Sequence, residues 1–78
     1  MVGGMKDRAL AERLGAALRR RRQRLEVSQE AFADQIGMHR TYYSALERGE
    51  INLTLKTLRR ICTGLGIPVW ELLKDADV

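Results

Sequence analysis

Leu10, Leu14 and Leu18 recur every fourth residue, and Leu25 extends the same face. That step keeps apolar side chains on one side of a helix, so it predicts an amphipathic helix from Asp7 to Leu25. Ser28 offers an oxygen to the start of the next helix and Gly37 stops it, which gives a short segment from Gln29 to Ile36. His39 or Met38 sits in the turn, and a third helix runs from Arg40 to Arg48 before Gly49 ends it. GEINLT is a loop with Thr54 as the next cap. The fourth helix, Leu55 to Leu65, gathers Leu55, Leu58, Ile61, Cys62 and Leu65 on one side, with Gly66 just past its end. Pro68 opens a last helix from Val69 to about Lys74, since proline is tolerated in a first turn. No segment alternates with period two, and neither an internal repeat nor a linker appears. The pattern reads as one compact all-α domain over residues 6–78, behind a flexible tail, MVGGM, over residues 1–5.

The third helix carries the adjacent tyrosines Tyr42 and Tyr43, which point about 100° apart on a helical wheel. Tyr43 and Leu46 define an apolar edge. Arg40, Thr41, Ser44 and Arg48 form a polar face without an acid, and Tyr42 lies on the flank. Short residues let such a helix approach a surface closely while arginines reach out from it. A DNA major groove, about 12 Å wide, admits one helix of this kind. Arginine can bond guanine at two points, and threonine offers a hydroxyl and a methyl to thymine. A solvated helix face is the plain alternative; the helix–Gly–helix spacing in front of it favours recognition.

Composition narrows the classes. Seventy-eight residues make one domain at most, near the lower size limit for a core without staples. A single cysteine, Cys62, excludes an internal disulfide and fits a reducing, cytoplasmic setting; in the apolar stripe it reads as a small buried hydrophobe. No apolar run approaches the ~20 residues of a membrane span. A net charge of +4 points toward a polyanion. One histidine, one cysteine and scattered carboxylates supply neither a metal site nor a set of converging catalytic groups. The expectation is therefore no enzyme, no metal, no cofactor and no small-molecule ligand.

The stretch SQEAFADQIGMHRTYYSALERG resembles the helix-turn-helix of the phage-repressor family, the lambda repressor and Cro-like group. The likeness spreads over nearly the whole chain, and RTYYSALERGEINLTLKTL is most similar to the controller proteins of restriction–modification systems. It implies a homodimer bound to double-stranded operator DNA. By position it implies that Arg40 and Thr41 read bases and that Ser44 meets a base or a phosphate. Gln29 would contact a phosphate and brace the reading helix, and Arg48 and Asn52 would lie along the backbone. Tyr43 stands where the family usually buries valine or isoleucine, so its hydroxyl must find a partner or reach the edge of the core. For Tyr42 the hydroxyl has two readings, a phosphate or water; for His39, a turn or cap residue or a further DNA contact. The alternative from another class is a protein-binding module of the same fold, an antitoxin or a co-regulator.

In RRRRQR, Arg19 to Arg24, a helix distributes consecutive side chains around its axis, and most of these arginines read as a solvated face. Arg22 differs, because it follows Leu14 and Leu18 at the four-residue step and points where an apolar group is expected. A buried arginine needs a carboxylate. Glu47 lies near the core edge of helix three, and the family resemblance implies an Arg22–Glu47 ion pair that holds Arg22 near a phosphate. Val69, Leu72 and Leu73 can cover the core and leave Trp70 partly outward; the resemblance assigns Trp70 and Leu73 to a two-fold interface. The other reading folds Trp70 back on helix one or four.

Overall fold

The structure is a computed structural model that describes the backbone of residues 3–77 and the side chains of residues 8–77. Five helices follow in order: α1 Gly3–Arg24, α2 Gln29–Gln35, α3 Arg40–Glu47, α4 Leu55–Leu65 and α5 Val69–Asp75, with no strand among the described residues. Local chemistry sets the boundaries. The Ser28 hydroxyl accepts from the Ala31 N–H, Nδ1 of His39 from the Thr41 N–H, and the Thr54 hydroxyl from the Thr57 N–H, each satisfying an orphan donor of a first turn. His39 is thus a helix cap.

Three expectations need correction. α1 begins at Gly3, so the last three residues of the expected tail are helical, while Met1 and Val2 lie outside the described residues. Extending an existing helix needs no new nucleus, which is why two glycines there do not stop it. At its other end α1 stops at Arg24, and Glu26 turns the chain with φ of 60°. Leu25 therefore leaves the leucine face and is 46% exposed. Leu55 is likewise 83% exposed; it is the first residue of α4, and the buried stripe begins only at Leu58.

The core gathers Leu14, Ala17 and Leu18 from α1, Phe32 and Ala33 from α2, Tyr43 and Leu46 from α3, Leu58, Ile61, Cys62 and Leu65 from α4, and Leu72 from α5. The Phe32 and Tyr43 rings meet with centroids 5.3 Å apart at 55°, a tilted contact that joins the two helices of the turn motif. α1 and the end of α3 approach without side chains between them: a Cβ at Gly15 would lie 2.5 Å from the carbonyl oxygens of Leu46 and Glu47. Opposite, Gly49 ends α3 with φ of 73°, and a Cβ there would lie 2.5 Å from the Glu12 Cα.

The arginine run divides its work. Arg21 pairs with Glu71 at 2.8 Å and with Asp75 at 2.5 Å, and Arg20 donates to the Asp75 carbonyl at 3.1 Å. These contacts hold α5 against α1, so two arginines expected on a solvated face are structural.

Candidate nucleic-acid interface

α2, the turn at Gly37 and α3 form the centre of the site. From α4, Arg60 donates Nε to the Ile36 carbonyl at 2.7 Å and Nη2 to the Gly37 carbonyl, which pins the turn from outside. Nothing in the sequence marks this arginine, because its partners are backbone atoms more than twenty residues away.

α3 is two-faced. Tyr43, Leu46 and Glu47 are buried, whereas Arg40, Thr41, Tyr42 and Arg48 are exposed and Ser44 is half-buried. The paired tyrosines accordingly divide, one inward and one outward. Arg40, Thr41, Ser44 and Arg48 together line a shallow concavity of about 240 Å³. The expected reading residues thus share one surface. Asn52 lies in the loop after α3 and borders a different cleft, of about 300 Å³, with Leu10, Ala11, Leu14 and Leu53.

Beneath this surface the Glu47 carboxylate accepts four hydrogen bonds. Arg22 Nε donates to Oε2 at 2.6 Å and Nη2 to Oε1 at 3.1 Å. The Tyr43 hydroxyl donates to Oε2 at 2.5 Å and Gln29 Nε2 to Oε1 at 2.8 Å. Arg22 also donates Nη1 to the Val27 carbonyl at 2.8 Å. Arg22 and Glu47 are only 8% and 7% exposed, so the expected buried ion pair is present, and it includes the Tyr43 hydroxyl and the Gln29 amide as well. Burial by itself pushes the Glu47 carboxyl up, but the hydrogen bonds from Arg22, Tyr43 and Gln29 outweigh it and hold the group below the usual carboxylate range. Burial, and then the neighbouring carboxylate, push the Tyr43 phenol far above its ordinary value, so it stays a donor. The buried Tyr43 hydroxyl therefore has its partner.

On the surface, Arg48 donates Nη1 to the Ser44 hydroxyl at 2.6 Å and forks onto Glu50, with Nε at 3.0 Å and Nη2 at 3.1 Å. Glu50 does not stand out in the sequence, since only the reversal at Gly49 carries it back toward α3. At the other end of the chain Trp70 is 63% exposed, and Leu73 is partly buried against the core. Trp70 is not folded back. Among the described residues no group of three or more His, Cys, Asp or Glu could hold a metal, and no helix is long and apolar enough to cross a membrane.

Two short helices set by a glycine turn, the second presenting a cationic polar face over a buried anchor, define a helix-turn-helix domain. The helix-turn-helix family HTH_3 matches residues 18–72. "Control protein C.MunI" of Mycoplasma sp is 44% identical over 66 residues, covering 83% of this chain and 89% of that protein. "Control protein C.SmaI" of Serratia marcescens is 45% identical over 47 residues, 60% of this chain and 56% of that protein. Among solved structures, the clp gene regulator ClgR from C. glutamicum superposes with a TM-score of 0.84 at 35% identity, covering 87% of each chain. The restriction-modification controller protein C.AhdI from Aeromonas hydrophila gives 0.76 at 34% identity, over 80% of this chain and 94% of that one. The chain belongs to the helix-turn-helix family HTH_3 and is a DNA-binding transcriptional regulator.

Proposed function

We propose that the protein acts as a homodimer on a pseudo-palindromic operator, laying α3 of each subunit in a major groove. The observation that carries this reading is the outer face of α3, where Arg40, Thr41 and Ser44 share one concavity above an immobilised core edge. Arg40 and Thr41, at the start of the helix, read bases; Ser44, one turn on, meets a base or phosphate. Gln29, His39, Tyr42 and Arg48 serve as backbone contacts, with Asn52 reaching the backbone from the loop after α3. Arg22 has three of its five N–H groups committed inside, leaving two for a phosphate oxygen. The half-sites lie about 34 Å apart, one helical turn, and binding weakens steeply with salt as counterions are released.

Binding-site selection tests the reading face. Arg40→Ala is expected to relax the preference at one base-pair position, at a cost of about 1–3 kcal/mol on the best site. An unchanged preference overturns the assignment of Arg40. Absence of any base preference in the wild type favours the protein-binding module instead.

The exposed Trp70 supports a two-fold interface on α5 that includes Leu73, one turn on, because a large exposed aromatic commonly anchors a partner. In sedimentation velocity Trp70→Ala is expected to shift the dimer to monomer at micromolar concentration; an unshifted dimer removes α5 from the interface. The relatives named as control proteins support a controller role in a restriction–modification system, cytoplasmic and without enzymatic activity. Methylase and endonuclease genes beside this one would test that assignment.

A further inference from the structure

Arg48 occupies an unusual position for an arginine on a DNA-reading surface, because its guanidinium is already engaged. The chain reverses at Gly49, with φ of 73°, and the Glu50 N–H closes the turn on the Ala45 carbonyl at 3.0 Å. This reversal brings the Glu50 carboxylate back beside α3, where it takes the Nε and Nη2 edge of Arg48 at 3.0 and 3.1 Å. Two parallel N–H···O bonds of this kind are the geometry by which arginine also grips a phosphate. The third bond, Nη1 to the Ser44 hydroxyl at 2.6 Å, lays the guanidinium along the concavity of the reading face. Arg40 has no ion pair among the described residues, so the two arginines of this face differ in kind.

We propose that Glu50 is an intramolecular stand-in for a DNA phosphate, occupying Arg48 in the free protein and lowering its affinity for DNA of any sequence. This inference rests on the DNA-binding reading above. Both side chains are more than half exposed, at 52% and 57%, and such a pair contributes little to folding. Its consequence falls on the ligand. A phosphate that takes the forked edge of Arg48 must displace a carboxylate already there, and the displaced carboxylate then stands beside a polyanion. Non-specific DNA offers only phosphate contacts, so it has nothing to set against that exchange. Cognate DNA adds the base contacts of Arg40 and Thr41. Glu50 is thus a residue that keeps the protein from lodging on non-cognate DNA, acting through Arg48 rather than by touching bases.

The experiment is fluorescence anisotropy with two labelled duplexes, one from binding-site selection on the wild type and one scrambled, over a range of salt concentrations. Glu50→Gln is expected to tighten binding to the scrambled duplex by about threefold, the worth of one exposed pair. It should also steepen the logarithmic salt dependence by about 0.9, one further counterion released. In an Arg48→Ala background the same substitution should no longer tighten binding. Tightening that persists there overturns the proposal, because Glu50 would then act as a general negative charge. Unchanged or weaker binding of Glu50→Gln also overturns it and makes Glu50 a brace for Arg48. Failure of the wild type to bind either duplex overturns the DNA-binding reading itself and this proposal with it.

Discussion

Glu47→Ala is expected to lower the free energy of unfolding by about 3–5 kcal/mol, read from urea or thermal denaturation followed by circular dichroism. The loss exceeds that of an ordinary ion pair because of what remains behind. Without the carboxylate, the buried Arg22 guanidinium keeps only the Val27 carbonyl, and the Tyr43 hydroxyl and Gln29 amide lose their acceptor. A domain of this size has roughly 4–12 kcal/mol in total, so the substitution takes away much of its margin. A loss below about 0.5 kcal/mol, the level of a surface change, would contradict a buried network. Acid provides a second reading of the same group. The folded carboxyl binds its proton less tightly than the unfolded one, so its contribution is complete above about pH 4.3 and disappears as the pH falls through the lower folded value. Glu47→Gln should abolish that part of the acid sensitivity.

Gly49→Ala is expected to cost about 2–5 kcal/mol by the same measurement. Its φ of 73° lies in the left-handed region, where a Cβ costs about 1–2 kcal/mol. The added methyl must also enter space held by the Glu12 backbone, 2.5 Å away, and overpacking against atoms that cannot rotate aside costs about 1–3 kcal/mol more. Gly37 separates the two contributions. Its φ of 68° is nearly the same, but its nearest obstacle is the far end of the Arg60 side chain at 3.0 Å. Gly37→Ala should therefore cost only the backbone part. Equal losses at the two positions would mean that the close approach of α1 to the end of α3 does not constrain the fold.

The parts of this molecule that could be read in advance are those in which one residue breaks a periodic pattern. Arg22 was legible because it stands at a leucine step and so demanded a carboxylate. Tyr43 was legible because its neighbours fix the core edge of α3, and the Ser28 and Thr54 caps because each bonds within three residues of itself; for His39 the sequence left cap and DNA contact both open. Leu25 and Leu55 misled because an apolar residue at a helix end satisfies the period without lying on the buried stripe; the end itself decides its orientation. Arg60, Arg21 and Gly15 left no trace in the sequence pattern. Their partners are carbonyls or carboxylates on other helices or in the turn after α2, and only the packed fold brings those within reach. Glu50 is intermediate: it is near Arg48 in sequence, but an extended chain after Gly49 would have carried it away.

The four bonds on Glu47 come from α1, α2 and α3 itself, while Tyr43, in the first turn of α3, is buried against Phe32 of α2, and Arg40 and Thr41 beside it are exposed. Mechanically α3 is a short beam fastened at both of its turns, through Tyr43 near its start and Glu47 at its end. Freeing either turn therefore requires breaking buried contacts with α1 or α2, and not only the His39 cap. Adaptation to a bound surface then falls on the exposed side chains of Arg40, Thr41 and Arg48 rather than on the helix that carries them.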